Sequence, residues 1–349
     1  MSTLLDHVMG RATDLELPIS VHFDLTYRCN ERCVHCYLDH EDHGELTTAE
    51  VKDVLDQLAA AGTLFLIFSG GELLLRTDFF ELLAYARALG FDVKLKTNAI
   101  LIKEADAVRI RELGVRQVQV SIYSHRAEVH DGITKVAGSF DRSIAAIRFL
   151  KSQGLRVLIA NVLMSQNAGD YPGVQALAAG LGAEFTLDPT ITPKMDGDTS
   201  VLSLRIPTTH LLQVYTDKSL LGPPQPPAAM PLSDEPEPDF LNDAPCSAGH
   251  TACYVSPYGD IFPCVQFPLP SGNLRRERFD DIWRHSQQLK EVRAISLRDL
   301  PTCSVCSLQS SCTRCPGLAY MEGNMRGPSS ADCEKSLVAA EARRIHEAN

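Results

Sequence analysis

Three cysteines lie within one stretch of eight residues, CNERCVHC, at positions 29 to 36. Cys29, Cys33 and Cys36 follow closely after the β-rich run VHFDL, so a single loop carries all three thiols. Thiolates bind zinc and iron–sulfur centres, and a centre with three protein ligands keeps one position open for a small molecule. The spacing therefore predicts a metal centre that binds a cofactor or a substrate directly, and from these three residues alone zinc remains an alternative.

Further polar residues stand at the ends of the β-rich runs that come next along the chain. The motif SGGE (69 to 72) ends the second run and KTN (96 to 98) the third, while Ser121 and Asn161 end the fourth and fifth. Carboxyl ends of parallel strands meet at one edge of a sheet, where such folds place their chemistry. Glycine lets the backbone approach a ligand closely, and a carboxylate suits an ammonium group. Any one of these residues could instead satisfy backbone groups at a strand end, so it is the combination that predicts a binding site.

The elements that must position these residues alternate from residue 21 to about 190. Apolar and β-branched residues predict strands at 21 to 25, 64 to 69, 92 to 97, 117 to 122, 156 to 162 and 184 to 187. Helical patterns predict helices at about 48 to 61, 78 to 89, 103 to 112, 140 to 153 and 171 to 181. Thr47 and Glu50 stand in capping-box spacing at the start of the first helix. Six βα units predict an α/β fold with a parallel sheet, in the form of an incomplete barrel that is open on one side.

The CxxxCxxC spacing after the first strand resembles that of the radical S-adenosylmethionine (radical SAM) enzymes, and the resemblance extends over residues 20 to about 190. It implies a partial (β/α)6 barrel in which Cys29, Cys33 and Cys36 hold a 4Fe-4S cluster that binds SAM. It also implies that an electron from the cluster cleaves SAM to methionine and a 5′-deoxyadenosyl radical, which removes a hydrogen atom from the substrate. His35 fills the aromatic position that commonly precedes the last cysteine.

The same resemblance implies which residues contact SAM. Gly70, Gly71 and Glu72 would lie beside its amino group. Polar side chains at the ends of the third, fourth and fifth strands would touch its ribose or methionine part, namely Asn98, Ser121 and Asn161.

A second group of cysteines is concentrated towards the end of the sequence, where eight of the eleven lie between positions 246 and 333. Eight thiolates suffice for two four-ligand sites, and CxxC pairs of this kind also form zinc sites. The pattern resembles the SPASM extension of radical SAM enzymes, which holds two auxiliary 4Fe-4S clusters. The resemblance assigns one cluster to Cys246, Cys253, Cys264 and Cys315, and the other to Cys303, Cys306, Cys312 and Cys333. With the SAM-binding cluster, the chain would hold three 4Fe-4S clusters.

Two departures accompany the SPASM resemblance. One residue fewer separates Cys312 from Cys315 than in the usual CX2CX5CX3C motif, and Cys253 stands at a variable position. Either departure could leave one auxiliary cluster with an open site.

Composition suggests how the chain divides. Residues 222 to 238 contain seven prolines and read as an extended connector. We therefore predict an N-terminal extension at 1 to 20, the partial barrel at 21 to 221, a Pro-rich connector at 222 to 240 and a small cysteine-rich SPASM domain at 241 to 349.

Charge and hydropathy restrict the kinds of partner and the location that we expect for this protein. With 33 basic and 44 acidic residues the net charge is −11, which disfavours nucleic acid. No signal peptide and no apolar run long enough for a membrane span is found. We therefore expect a cytoplasmic protein, in which a reducing environment keeps the cysteines available for metals.

The resemblance points to enzymes that modify peptides. It implies hydrogen abstraction from a ribosomally made precursor peptide, giving a crosslinked or otherwise modified residue. A separate leader-recognition protein could present that peptide, and a flavodoxin- or ferredoxin-type protein would donate electrons. Two alternatives remain open: a radical SAM enzyme that acts on a small metabolite or cofactor precursor, and a zinc-binding interaction module.

Overall fold

The computed structural model describes residues 10–220, 242 and 244–348, and the predicted Pro-rich connector at 222 to 240 lies outside the described residues. The chain forms two compact units. One comprises Met1–Arg205 with Ser247–Val292, and the other Ile206–Cys246 with Arg293–Asn349. The two units are described separately.

The first unit contains one nine-stranded sheet in the order β6-β5-β4-β3-β2-β1-β7-β8-β9. The strands are β1 Ser20–Thr26, β2 Phe65–Gly70, β3 Asp92–Thr97, β4 Gln117–Ser121, β5 Val157–Val162, β6 Glu184–Asp188, β7 Ala252–Val255, β8 Asp260–Phe262 and β9 Gly272–Asn273. Strands β1 to β6 are parallel, and their bounds agree with the six predicted strands to within one residue. The predicted parallel α/β fold is thereby confirmed.

Helices follow the strands as a βα pattern requires. They are α1 Thr48–Ala60, α2 Phe79–Ala88, α3 Glu104–Glu112, α4 Ala127–Thr134, α5 Ser139–Ser152, α6 Tyr171–Gly180, α7 Thr208–Thr216, α8 Phe279–His285, α9 Gln287–Arg293, α10 Pro316–Met321 and α11 Ser330–Ala348. The predicted capping box at α1 is present, because Glu50 N donates to the Thr47 hydroxyl and Thr47 N donates to the Glu50 carboxylate. Helix α4 was not predicted from the sequence.

Alternation along the strands separates the core from the polar face of the sheet. In β1, Val21, Phe23 and Leu25 are fully buried in the hydrophobic core of this unit, whereas His22 and Asp24 point to the opposite face. The same alternation recurs in β2 to β5, whose apolar residues pack against the helices. Polar side chains lie on the other face of the parallel sheet.

Strand β7 joins the sheet beside β1, which the sequence-based division did not anticipate. Its residues pair in parallel with β1 from Ser20↔Ala252 to Phe23↔Val255, and β8 and β9 continue the sheet antiparallel. Because these backbone hydrogen bonds satisfy the edge of β1, Ser247–Val292 belongs to the same compact unit as the βα repeats. The compact units therefore do not follow the predicted boundary at 222 to 240.

In the second unit, α7 packs along α11. The Thr208 hydroxyl donates to Glu334 at 2.6 Å, and the His346 ring lies 3.3 Å from the Tyr215 carbonyl oxygen. Within residues 10–220, 242 and 244–348, none of the helices is both long and apolar enough to span a membrane.

Candidate active site

A cavity of about 510 Å³ lies at the carboxyl ends of β1 to β6. Its lining includes eight of the nine residues that the sequence predicts for the first cluster and for SAM: Cys29, Cys33, Cys36, Gly70, Gly71, Asn98, Ser121 and Asn161. Glu72 does not line the cavity. The predicted meeting of successive strand ends at one site is therefore seen in the structure.

The cysteine loop is held in place by α4. Arg32 N donates to the Thr134 carbonyl oxygen and Val34 N to that of Ile133, both at 3.0 Å. A turn then forms within the loop, since Cys36 N donates to the Cys33 carbonyl oxygen at 3.0 Å. The end of the helix that sequence reasoning missed thus fixes the backbone between the three thiols.

Burial raises the pKa of each of the three thiols. The pKa of Cys29 rises to about 12, and those of Cys33 and Cys36 also rise because desolvation disfavours the thiolate. A bound metal reverses this effect, since a coordinating thiol is deprotonated by the charge of the ion. Three half-buried thiols facing one cavity therefore fit a cationic metal group.

The geometry of the donors bears on the kind of metal group. No set of three or more His, Cys, Asp or Glu side chains among residues 10–220, 242 and 244–348 is placed to hold a single metal ion. An iron–sulfur cluster takes several Cys ligands at once. The observation concerns single-ion sites and leaves the cluster prediction untested.

Glu31 is a residue that sequence reasoning missed. Its side chain lines the cavity and is buried, and the Cys33 thiol donates to its Oε2 at 3.4 Å. Burial raises the pKa of Glu31 to about 7. In the sequence, an acidic residue inside a CxxxCxxC loop is expected to be exposed to solvent. Nothing in the sequence therefore predicted that Glu31 is buried.

Gly70 and Gly71 bring the end of β2 against the backbone after β1. Gly71 N donates to the Thr26 carbonyl oxygen at 2.7 Å, and Glu72 N to that of Arg28 at 2.9 Å. A Cβ added at Gly70 would overlap the carbonyl oxygen of Thr26, and one at Gly71 that of Arg28. Gly70 also has a φ of +132°, which side-chain-bearing residues rarely adopt. Glycine is therefore required at both positions by the protein's own backbone.

Glu72 is fully buried and joins two strand ends. Its carboxylate accepts hydrogen bonds from the Thr97 hydroxyl, from Asn98 N at 3.1 Å and from Leu74 N at 3.2 Å. The side chain therefore turns towards the end of β3 and away from the cavity. The predicted contact between Glu72 and the amino group of SAM stays a prediction.

Asn98 and Asn161 present amides to the cavity. Asn98 Nδ2 donates to Asn30 Oδ1 at 2.7 Å, which ties the end of β3 to the cysteine loop. Asn161 Nδ2 donates to the Ile122 carbonyl oxygen at 2.7 Å, while its Oδ1 is buried and has no hydrogen-bond partner among the described residues. A buried acceptor without a partner is costly unless a ligand supplies a donor, so Asn161 Oδ1 fits a hydroxyl or amino group of a cofactor.

Aromatic rings pack beside the cysteine loop. His35 meets Tyr123 edge to face at 4.9 Å, and Tyr123 in turn stacks on His130 at 5.5 Å between ring centroids. The Tyr123 hydroxyl donates to the Cys33 sulfur at 3.9 Å. Burial lowers the pKa of His35 to about 4. These rings shield the loop from solvent on one side.

A deeper layer of the cavity is polar. Lys96 and Gln119 lie two residues before Asn98 and Ser121 on the same face of their strands, about 7 Å deeper along the sheet. His22 lies one step lower still, since it pairs with Ile67 of β2, which in turn pairs with Lys94. Asp24, two residues nearer the carboxyl end of β1 than His22, is fully buried and bonds to His22 at 3.0 Å and to the Tyr254 hydroxyl at 2.9 Å. Period-two alternation of polar residues in β1, β3 and β4 was the sequence signal for this layer.

Four auxiliary cysteines lie together in the second unit. The pKa of Cys333 is raised by burial and by the nearby thiols of Cys312, Cys303 and Cys306. These are the four residues that the SPASM resemblance assigns to one cluster. Cys315 is also in this unit, where Cys315 N donates to Asp332 at 2.8 Å.

The remaining auxiliary cysteines are distributed between the units. Cys246 belongs to the second unit, whereas Cys253 and Cys264 belong to the first. Cys253 is buried in the hydrophobic core on the helix-covered face of the sheet. Cys264 lies near the cavity, where its charge influences the pKa of Lys96 and of Tyr37. The assignment of one cluster to Cys246, Cys253, Cys264 and Cys315 stays a prediction.

Comparison with known proteins identifies the family. The chain matches the radical SAM superfamily over residues 23–172 and an iron–sulfur cluster-binding domain, SPASM, over residues 246–316. It is 30% identical to an AdoMet-dependent heme synthase of Oleidesulfovibrio alaskensis, over 84% of this chain and 81% of the relative. The chain belongs to the radical SAM superfamily. This radical SAM/SPASM enzyme is also 30% identical to mycofactocin maturase MftC of Mycobacterium tuberculosis, over 85% of this chain and 78% of the relative.

Solved structures confirm the fold of this radical SAM enzyme. Streptococcus suis SuiB bound to S-adenosylmethionine matches with a TM-score of 0.69 at 18% identity, over 91% of this chain and 77% of that one. Native anSMEcpe with bound AdoMet and Cp18Cys peptide also matches with a TM-score of 0.69, at 16% identity, over 94% of this chain and 98% of that one. SAM and iron–sulfur clusters are accordingly the cofactors of this enzyme.

Proposed function

We propose that this enzyme cleaves SAM reductively in the cavity and removes a hydrogen atom from a ribosomally made precursor peptide. The observation that carries the proposal is the convergence on one cavity of three half-buried thiols, two obligatory glycines and an Asn161 oxygen that no described residue hydrogen-bonds. When bound to Cys29, Cys33 and Cys36, a 4Fe-4S cluster supplies the electron that converts SAM to methionine and a 5′-deoxyadenosyl radical.

The protein's own residues provide binding and orientation in this proposal. The backbone at Gly70 and Gly71 lines the cavity, where it can contact the methionine part of SAM. Asn161 Oδ1 accepts a hydrogen bond from the cofactor, and Asn98 holds the cysteine loop through Asn30. Ser121 adds a hydroxyl at the end of β4.

Two auxiliary 4Fe-4S clusters complete the proposed cofactor set. The grouping of Cys303, Cys306, Cys312 and Cys333 within the second unit supports the second of them. The other would use Cys246, Cys253, Cys264 and Cys315. Because these thiols are far apart in the sequence, metal binding would also stabilise the fold of the cysteine-rich region.

The mycofactocin maturase relatives favour a peptide substrate. A precursor peptide is therefore the proposed partner, presented by a separate leader-recognition protein, with a flavodoxin- or ferredoxin-type protein as electron donor. We place the enzyme in the cytoplasm, because a reducing compartment keeps its eleven cysteines available as ligands.

A small-molecule substrate is the second candidate, and a specific observation favours it. The heme synthase relatives are as similar to this chain as the maturase relatives are, at 30% identity over comparable lengths. A small metabolite or cofactor precursor would then enter the same cavity.

The first experiment measures the metal content of protein purified and reconstituted without oxygen. We expect about 12 iron and about 12 sulfide per chain for three 4Fe-4S clusters. About four iron with two zinc would retain the radical chemistry and remove the auxiliary clusters, whereas zinc with little sulfide would overturn the proposal.

The second experiment separates the two substrate classes. Reduced enzyme and SAM are incubated with candidate precursor peptides, and 5′-deoxyadenosine and peptide mass are followed together. Peptide maturation is supported if a peptide changes in mass and the amount of changed peptide equals the amount of 5′-deoxyadenosine formed. SAM cleavage with unchanged peptide mass, together with turnover of a porphyrin or another small acid, supports the second candidate.

A further inference from the structure

Lys96 is a cation in the lining of the cavity. It is half-buried on β3 and lines the cavity, and its ammonium group forms no hydrogen bond or ion pair with any residue that the structure describes. Placing a charge in such a site is unfavourable unless a ligand of opposite charge compensates it. A lysine at this position therefore indicates a ligand-binding role.

Neighbouring acids act on Lys96 only from a distance. Asp24 raises the pKa of Lys96 through its charge, against the larger lowering by burial, but its two oxygens are already bonded to His22 and Tyr254. Asp188 has a weaker effect, and its carboxylate accepts from Thr190 N. Neither acid forms an ion pair with the lysine.

Neutral hydrogen-bond donors line the same cavity as the ammonium group. Gln119 is the Cα partner of Lys96 in the β3–β4 ladder and lines the same cavity. Gln266 and Thr186 line it as well, and none of these three side chains is hydrogen-bonded to another described residue. An ammonium group with an amide donor beside it is a set that binds a carboxylate.

We propose that Lys96, with Gln119 beside it, binds a carboxylate group of the substrate in the deep layer of the cavity. This inference rests on the proposed function, since it assumes that the cavity also receives the substrate. The carboxylate could belong to a peptide or to a small acid, and the chemistry of recognition is the same for both. Lys96 thereby fixes which carbon of the substrate faces the SAM-binding residues at the strand ends.

Position along β3 separates Lys96 from the cofactor residues. Asn98, at the end of the strand, is bonded to Asn30 of the cysteine loop, whereas Lys96 is two residues deeper on the same face. Glu31, the acid nearest the thiols, is on the cysteine loop and not in the deep layer. Lys96 and Glu31 thus lie at different depths of the cavity, and this separation would orient a substrate with a terminal carboxylate.

The test compares acids with their neutral counterparts on the cluster-loaded, SAM-bound enzyme. One probe pair is a porphyrin with four propionates and its tetramethyl ester, and the other is N-acetyl-trialanine and its C-terminal amide. Binding is measured by equilibrium dialysis for the wild type, Lys96→Met, Lys96→Arg and Lys94→Met. Lys94 is the matched control because it is on the same strand and face and does not line the cavity.

We expect the wild type to prefer the acid in at least one pair by about 10-fold or more, the usual gain from a charge-assisted hydrogen bond. Lys96→Met should abolish that preference, Lys96→Arg should keep most of it, and Lys94→Met should leave it unchanged. The pair that shows the preference tells whether a peptide or a small acid is the source.

Three results would overturn the inference: no preference for the acid in either pair, a preference that survives Lys96→Met, or a loss of SAM binding in Lys96→Met. The last result would assign the lysine to the cofactor. SAM affinity and iron content are measured on the same samples, so failure of the proposed function is seen as missing clusters or missing SAM binding in the wild type. Thermal unfolding of each variant shows whether it is folded, and Lys96→Gln replaces Lys96→Met if the latter is not.

Discussion

The hydroxyl of Thr97 lies 2.7 and 2.9 Å from the two carboxylate oxygens of Glu72, at a point where both residues are buried. This contact ties the end of β2 to the end of β3, next to the glycines that line the cavity. Glu72 also accepts from Asn98 N at 3.1 Å, so the same carboxylate fixes the backbone of a predicted SAM residue.

Replacement of Glu72 by Gln should therefore weaken both folding and SAM binding. The new amide NH₂ would face the donors of Thr97 and Asn98, and a buried donor without an acceptor costs about 1 to 3 kcal/mol. We expect a loss of that size in the free energy of unfolding, measured by denaturant titration, with a higher dissociation constant for SAM.

Glu81→Gln is the matched control for this substitution. Glu81 is exposed and pairs with Lys52 at the surface, so its loss should change stability by no more than about 0.5 kcal/mol. If Glu72→Gln were as mild as Glu81→Gln, the bridge between the strand ends would not contribute to stability as we infer.

Substituting one cysteine from each of the two groups should remove iron from a different cluster in each variant. Cys29→Ala removes a proposed ligand of the SAM-binding cluster and should lower the iron content by about four per chain, with loss of SAM cleavage. Cys333→Ala should remove about four iron from the second unit instead, while SAM still binds. Iron and sulfide assays with SAM titration distinguish the two variants.

Equal iron in wild type and Cys333→Ala would show that the grouping of Cys303, Cys306, Cys312 and Cys333 does not hold a cluster. Because metal stabilises a region with few core residues, Cys333→Ala is also expected to unfold at a lower temperature than Cys29→Ala. The reverse order of melting temperatures would contradict the structural role of the auxiliary cluster.

Gly71→Ala should disrupt the junction between β2 and the cysteine loop. Its Cβ would overlap the carbonyl oxygen of Arg28, which already accepts a hydrogen bond from Glu72 N. We expect a loss of about 1 to 3 kcal/mol in the free energy of unfolding and weaker SAM binding, measured by denaturant titration and equilibrium dialysis. Gly180→Ala is the control, because nothing lies within 4 Å of a Cβ at that helical position. Equal stability of the two variants would refute the steric argument.

Much of the fold could be predicted because local pattern and tertiary structure agree in the βα repeat. Fully buried apolar residues alternate with polar ones in β1, and the capping box at Thr47 marks the start of α1 correctly. The short helix α4 was missed because AEVHDGIT carries a glycine and β-branched residues, and the cysteine loop is what bonds to its end. Strand β7 was missed as part of the sheet because its pairing with β1 spans more than 200 residues of sequence.

The site could be predicted to the level of residue types at strand ends. Spacing located the three thiols, both glycines and Asn161, since each follows a recognisable strand. Sequence could not show that Glu72 turns away from the cavity, because that depends on the donors of Thr97 and Asn98. The sequence also could not show that Lys96 has no ion pair with a described residue, because ion pairing depends on which acidic side chains the fold brings near.

The capping box at α1 predicts a specific dependence of stability on pH. Arg275 donates to Glu50 at 2.9 Å and Thr47 N donates to the same carboxylate at 2.7 Å, and these bonds lower the pKa of Glu50 to about 2. A carboxyl whose pKa is lower in the folded state stabilises the fold above its unfolded pKa, near 4.5, and loses that effect as pH falls towards 2. The difference in unfolding free energy between wild type and Glu50→Gln should therefore be constant from pH 8 to about 5 and shrink below it.

Denaturant titrations of both proteins across that pH range test this expectation, and the comparison cancels acid effects that the two share. Glu50 and Arg275 are each more than a third exposed, so their mutual contribution should be no more than about 1 kcal/mol. A double-mutant cycle with Arg275→Gln measures that contribution at pH 7 and should show it fall in high salt. A coupling of zero at low salt would mean that the N-terminal hydrogen bonds from Thr47, and not Arg275, account for the pH dependence.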